Sequence, residues 1–393
     1  QAKVVSSPQV PSLEVFAETS ALLKKGVEDA VFPGAVLLVA NGGQVIFKEA
    51  AGFKSYQTSK NPSPLPMTID TVFDVASLTA TVITTTILMK LVEANQIRLD
   101  DRISRYIQPF GVFGKSPITL AQVLTHRSGL PHWMPFYEDL LRENAGARMG
   151  ILTSKGSREF IYNQINRCEL KFEPGTKQVY SDVGLILLGH LVEVLTGITL
   201  EKAAQRYVIQ PLGLKSTSFV DLSMMKRRGI HPVTDLIAPT EDCSWRKRML
   251  CGEVHDDNAW AMGGIAGHSG LFSTAADMHL FCRELLAAFH RQSNYTSRKA
   301  LEVFWAPTGS EGESAWRLGW DAPSEENGMN TSHLSKNAVG TCGFTGCSIW
   351  LEPLHGLEIV LMSNRVHPSR SNKKIRAFRP QIHDAILKAV EKL

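Results

Sequence analysis

Phe73-Asp74-Val75-Ala76-Ser77-Leu78-Thr79-Ala80 decides the reading of this chain, because it sets a serine at the mouth of a helix. From Thr81 to Ala94 no glycine or proline interrupts, and Val82, Ile83, Ile87, Leu88, Leu91 and Val92 recur at the spacing of a buried helix. Ser77 is therefore expected at or near the first turn. There, unpaired backbone N–H groups and the positive end of the helix dipole stabilise an anion forming on or beside its hydroxyl. A plain N-cap serine fits the same stretch, so other segments must decide.

Upstream, the pattern predicts a polar lead (Gln1–Pro11) and a helix from Leu13 to Glu28. Two strands follow, Gly34–Ala40 and Gln44–Lys48, joined by Asn41-Gly42-Gly43, a link of the kind that closes a hairpin. Lys54 to Met67, with three prolines, reads as loop. Downstream, helices are predicted at Ile118–Thr125, at Val183–Thr196 with Gly197 as stop, and at Ala275–His290 with Ser273 and Thr274 near its start. Strands return at Cys347–Glu352 and Leu357–Ser363, and a last helix runs from about Pro380 to Leu393. Early and late strands with helices between them predict an α+β fold whose sheet is completed by both ends of the chain. The expected division is 12–75 with 300–393 as the sheet domain, and 76–299 as a mainly helical lobe carrying the serine helix at the interface.

The 393 residues carry 42 Lys and Arg against 38 Asp and Glu, a net charge of +4 that is too slight to suggest nucleic acid. The one basic cluster, Arg370, Lys373, Lys374, Arg376 and Arg379, reads as the solvated start of a helix. No apolar run approaches the ~20 residues that span a bilayer, since Gly184–Leu195 is interrupted by His190 and Glu193. The chain starts at Gln1 without methionine, which is compatible with a removed leader. Six cysteines show no C-x-x-C pair; Cys243 and Cys251 are near enough in sequence to bridge, but buried thiols are the expected state for most. No metal or cofactor motif is present in the scattered histidines.

In order, Ser77-Leu78-Thr79-Ala80, Leu124-Thr125-His126-Arg127-Ser128-Gly129-Leu130, Tyr180-Ser181-Asp182, Gly263-Gly264-Ile265-Ala266-Gly267-His268-Ser269-Gly270-Leu271 and Gly343-Phe344-Thr345-Gly346 resemble the motifs of the serine β-lactamase and penicillin-binding protein superfamily. The class C β-lactamase-like branch, which also holds esterases and D-amino-acid peptidases, is the nearest. The resemblance spans roughly residues 13 to 390 and implies an antiparallel sheet flanked by helices plus a helical lobe. It implies a small-molecule or peptide-like substrate, acyl-enzyme chemistry without a cofactor, and a periplasmic or extracellular setting. Ser77 matches the nucleophile and Tyr180 the tyrosine that shares proton transfer with the family's lysine. Asp182 stands where asparagine or aspartate is usual, with an N-cap role on the following helix as the open alternative. By position, the backbone N–H of Phe344, after Gly343 on an edge strand, joins that of Ser77 as an oxyanion hole.

Two departures qualify the resemblance. The family's lysine follows the serine by three residues, roughly 5–6 Å away between Cβ atoms, but that position is Ala80. A methyl group cannot take a proton. The chain is then either a natural relative without turnover or an enzyme whose lysine has been replaced, and the other intact motifs favour the second. Either way, loss of a positioned base removes about 10²- to 10⁴-fold of rate. The second departure is Thr341-Cys342-Gly343, where relatives carry a lysine or histidine that holds a substrate carboxylate. Thr341 offers only a neutral hydroxyl, which favours neutral esters or amides unless Arg365 or Arg370 supplies the charge.

His126 and Arg127 fall in a helix end before Gly129 and read as a structural turn, His268 as a candidate for the cleft, and Trp133, Trp260 and Phe344 as candidate walls of an acyl pocket. The α/β-hydrolase alternative fails because Gly267-His268-Ser269-Gly270-Leu271 lacks the second glycine of Gly-x-Ser-x-Gly. The rival that remains is a pseudoenzyme that binds peptidoglycan-like ligands or a protein partner in the retained cleft.

Overall fold

A computed structural model describes residues 14–59, 61–146, 155–308, 316–326, 328–329, 331 and 333–393. The polar lead and Leu13 lie outside them. The strands are β1 (Gly34–Asn41), β2 (Gln44–Gly52), β3 (Phe73–Asp74), β4 (Ser218–Phe219), β5 (Asp242–Cys243), β6 (Arg248–Met249), β7 (Leu271–Ser273), β8 (Val339–Cys342), β9 (Ser348–Glu352) and β10 (Leu357–Ser363). Five of them form one antiparallel sheet in the order β2-β1-β10-β9-β8. Ala35 lies opposite Ser363 and Asn41 opposite Leu357, so strands from the two ends of the chain are neighbours at its centre. The fold is α+β, as the strand distribution predicts.

Side chains of a strand alternate between faces, and both faces of this sheet are covered. Leu37, Val39, Ile359 and Leu361 pack with the helices Ala17–Glu28 and Ile375–Val390, while Val36, Leu38, Val360 and Met362 join the larger core with Met278, Phe281 and Leu285 of the helix Ala275–Phe289. That explains why β1 and β10 are continuous apolar runs rather than alternating ones. Gly42 and Gly43, at φ +55° and +78°, close the β1–β2 hairpin in a conformation that other residues adopt at a cost. We propose boundaries near residues 75 and 300 for the two lobes; the helix Ala275–Phe289 packs on the sheet across that division.

The last helix begins at Ile375, five residues before its expected start, and carries Pro380 inside it. Ile375, Phe378, Ile382 and Ile386 continue one apolar stripe on the sheet, and this burial outweighs the intrahelical bond that proline removes. The first helix begins at Ala17, later than expected, after a turn that stacks Phe16 on Phe47 with ring centroids 5.0 Å apart. All six cysteines are free thiols, so Cys243 and Cys251 are not bridged. Among the described residues no single helix is long and apolar enough to cross a membrane.

Candidate active site

The turn before Ser77 is held by Asp74. Its Oδ1 accepts the Ala76 N–H at 2.9 Å, its Oδ2 accepts the His255 N–H at 2.7 Å, and its carbonyl accepts the Thr345 hydroxyl at 2.7 Å. Ala76 is thereby kept at φ +48°, a left-handed conformation rare for alanine, directly before the serine. Burial raises the Asp74 pKa, and the two N–H donors oppose that shift without reversing it. Sequence reasoning gave Asp74 no role; the available signal was a charge inside an apolar run.

Helical bonds start at Leu78 and Thr79, and Ala80 opens a wider π-helical stretch to Thr85 that continues as the α-helix Thr86–Glu93. Ser77 does not act as its cap. Among the described residues the one hydrogen-bond partner of its Oγ is Tyr180, whose phenol oxygen lies 3.4 Å away. The same phenol donates to Asp182 Oδ1 at 2.9 Å. A phenol has one proton, so with the carboxylate as its acceptor its lone pairs are left for the Ser77 hydroxyl. Asp182 is available because Ser181 caps the helix Asp182–Thr196: Ser181 Oγ accepts the Gly184 N–H at 3.0 Å and donates to the Pro131 carbonyl at 2.6 Å. This answers the open alternative for Asp182, which sits in the first turn.

Tyr180 is fixed from behind. His126 packs on its ring at 4.7 Å and accepts the Ser181 N–H at 3.2 Å, while His132 Nδ1 lies 2.7 Å from the Tyr180 carbonyl oxygen. Burial, then His132, pushes the His126 pKa down to about 3, so this imidazole is neutral and structural, as the turn reading expects. Burial first, and then the Asp182 carboxylate, raise the Tyr180 pKa well above that of free phenol. Asp182 is also raised, by burial. The phenol is therefore protonated at neutral pH, and Ala80, 4% exposed, brings no amine to change that.

Across the cleft stands the end of β8. A Cβ on Gly343 would lie 2.6 Å from the Val75 carbonyl oxygen, so glycine is what lets this edge approach the Ser77 turn. Phe344 follows, 48% exposed, and among the described residues neither its N–H nor that of Ser77 has a backbone acceptor. Thr341 is buried on β8 opposite Ile349 and does not line the cleft, whereas Cys342, Gly343 and Phe344 do. Burial raises the Cys342 thiol pKa, which disfavours a nucleophilic thiolate.

The cleft has a volume of about 560 Å³ and brings Ser77, Tyr180, Asp182, Phe344 and Trp133 together. His268 is not on its surface; it sits behind Asp256, at 2.9 Å from that carboxylate. Trp260 is likewise elsewhere, donating to Glu253 and packed edge-on against Trp245. The two arginines singled out as substitute cations are both engaged. Arg365 donates from Nε to the Phe344 carbonyl at 2.7 Å, lies 4.4 Å over the Phe344 ring, and donates to the carbonyls of Arg370 and Asn372. Arg370 pairs with Glu241 at 2.7 Å and Asp257 at 3.2 Å. The basic cluster is more than the solvated start of a helix, because Lys373, Arg376 and Arg379 line the cleft. Among the described residues no group of three His, Cys, Asp or Glu side chains is placed to hold a metal.

A helix-start serine facing a tyrosine, beneath the edge of a five-stranded antiparallel sheet, defines a serine hydrolase of the β-lactamase and penicillin-binding protein fold. The chain belongs to the β-lactamase family, which it matches over residues 19–383. It is 33% identical to the N-acetylmuramyl-L-alanine amidase of Bacillus subtilis over 355 residues, covering 86% of this chain and 78% of that protein. A putative D-alanyl-D-alanine carboxypeptidase of Escherichia coli K12 is 30% identical over 360 residues, covering 86% and 80%. Among solved structures it resembles EstCE1, a hydrolase with promiscuous acyltransferase activity, at a TM-score of 0.71 and 19% identity over 95% of this chain and 99% of that one. A mutant simvastatin synthase from Aspergillus terreus matches at 0.70 and 19% identity over 99% and 100%.

Proposed function

We propose that this protein is an acyl-transfer hydrolase that works through a Ser77 acyl-enzyme on esters, amides or β-lactams, and that Ala80 leaves it severely slowed. The observation that carries the reading is the Ser77–Tyr180–Asp182 chain of contacts, 3.4 and 2.9 Å, at the floor of the cleft. Ser77 Oγ attacks the acyl carbonyl and its proton passes to the Tyr180 oxygen as the phenol proton moves to Asp182. The N–H groups of Ser77 and Phe344 hold the oxyanion. Return of the proton through Tyr180 releases the alcohol or amine, and water then frees the acid by the same route. Without a cation at position 80 the phenol must give up its proton beside an acid, which its raised pKa opposes. The names of the relatives add N-acetylmuramyl-L-alanine and D-alanyl-D-alanine compounds to the amide candidates.

The same alanine also favours a second reading, a protein that binds such ligands without turning them over. Hydrolysis of a short-chain nitrophenyl ester and a chromogenic cephalosporin by this chain and by Ala80→Lys, with intact-mass detection of a Ser77 adduct, separates them. Ester turnover that appears with the lysine supports the hydrolase. Absence of both turnover and adduct in both proteins defeats it in favour of the binder.

A further inference from the structure

His268 is 2% exposed and lies behind the cleft wall that carries Tyr180. Its loop is pressed onto the helix Asp182–Thr196: a Cβ on Gly267 would stand 2.3 Å from the Leu185 carbonyl oxygen, and the Thr84 hydroxyl donates to the Gly267 carbonyl at 2.7 Å. Two facing glycines, Gly267 and Gly189, let this loop come so close to the helix whose first residue is Asp182. Nε2 of His268 lies 2.9 Å from Asp256 Oδ1, which also accepts the Ala259 N–H at 2.7 Å. Nδ1 is buried with no hydrogen-bond partner among the described residues, so charge, not a second bond, joins the ring to Asp182.

The wall thus holds two acids, Asp182 and Asp256, within reach of each other's charge. Two carboxylates withdrawn from water in one place stay ionised only where a cation stands with them. Burial raises the Asp182 pKa, and among the groups that oppose this rise His268 is foremost. Burial would lower the pKa of His268 itself; the charge and hydrogen bond of Asp256, then the charge of Asp182, reverse that and raise it. The same ring holds the Asp256 carboxyl below the usual range against its burial. From further out, His132 acts on Asp182 and His255 on Asp256. His126, held neutral at a pKa of about 3, shows what burial does to an imidazole whose surroundings contribute no acid.

We propose that His268 is a positioning residue for acyl transfer: as an imidazolium it keeps Asp182 a carboxylate, so that the Tyr180 phenol donates to Asp182 and turns its lone pairs to Ser77. With Asp182 protonated, the carboxyl can donate to the phenol oxygen and the phenol proton points at Ser77 Oγ, the wrong direction for taking the serine proton. This deepens the acyl-transfer reading and rests on it. His268 does not replace the cation missing at position 80, because it acts from behind the acids and is not on the cleft surface.

Two measurements test this role. The first is NMR titration of the His268 ring, assigned through its backbone, in this chain and in Asp182→Asn. The ring is expected to titrate above the ordinary histidine value of about 6.5, and removal of the Asp182 charge should lower its midpoint by about one unit. A midpoint below that ordinary value, or one that Asp182→Asn leaves in place, overturns the proposal, and neither outcome depends on turnover. The second is nitrophenyl ester hydrolysis in the Ala80→Lys background, where His268→Gln should lower kcat about tenfold, the equal of one pKa unit, with KM unchanged. Thermal melts verify that the glutamine variant is folded; the titration stands even where it is not. An unchanged kcat, or a loss carried by KM, removes the positioning role alone. Silence of Ala80→Lys itself defeats the hydrolase reading and this role with it.

Discussion

The two walls of the cleft have opposite charge problems. On the Ser77 wall, Tyr180 hydrogen-bonds Asp182, with Asp256 nearby, and the position that should bring a cation is the methyl group of Ala80. On the facing wall, Lys373, Arg376 and Arg379 outnumber the acids that could meet them. Further along the same wall Arg370 is fully matched by Glu241 and Asp257, and Arg246 by Asp257 at 2.7 Å. The difference teaches what each charge is for. Matched cations hold the loops, whereas the Tyr180–Asp182 pair has no cation at position 80 and the Nε of Arg379 has no partner among the described residues.

Ala80→Lys is the strongest way to break this contrast. It supplies the cation to the acidic wall and should raise nitrophenyl ester turnover by about 10²- to 10⁴-fold. Initial rates decide it, and an unchanged rate would remove the chemical meaning of that wall. Next, Tyr180→Phe in the lysine background should lower turnover by about 10²-fold, because the phenol links Ser77 to Asp182; equal rates for Tyr and Phe would reduce the residue to packing.

Smaller effects probe the matched side. Glu241→Ala takes one of two carboxylates from Arg370, which keeps Asp257, and removes the carboxylate on His255. Arg370 is 42% exposed, which tempers the penalty; the expected loss is about 1–3 kcal/mol, seen as a melting temperature a few degrees lower. A wild-type melt would mean that water replaces the pair. Smallest is a pH effect shared by both walls. His126 behind Tyr180 and His383 behind Arg379 have pKa values pushed down to about 3 by burial. The unfolded chain binds their protons below about pH 6.5 while the folded chain does not. Their stability is therefore complete above that pH and is lost as pH falls toward 3. Between pH 7 and 6 the loss should be under about 1 kcal/mol per imidazole, measurable by urea unfolding, and a flat profile would show that these rings are hydrated.

Much of the fold was legible. The β1–β2 hairpin and β10 were readable because apolar runs bounded by Gly42 and Gly43 or by His355 and Gly356 signal strands locally. β8 carries no such signal in Val339-Gly340-Thr341-Cys342, and only the motif resemblance suggested an edge strand there. The start of the last helix was hidden by Pro380 and a run of basic residues, since its apolar stripe has meaning only against the sheet. Ser77, Tyr180, Gly343 and Phe344 were singled out because their motifs are short and ordered, and the structure brings all four to one cleft. Which arginine is free could not be read at all. Glu241 is 129 residues from Arg370, and nothing local to either sequence announces that they meet. The capping role fell to Ser181 rather than Asp182, a choice between adjacent side chains that only backbone direction makes.

The pairing of β1 with β10 has a consequence for synthesis. When β1 leaves the ribosome, the strand that completes one of its edges is still about 300 residues from being made, or roughly 15–60 s at typical elongation rates. Throughout that interval a nascent chain carries an open, apolar strand edge, the kind of template that invites pairing with other chains. The helix Ile375–Val390 cannot cover the sheet any sooner, so the central sheet stays incomplete until β10 has been made and depends until then on whatever shields the growing polypeptide.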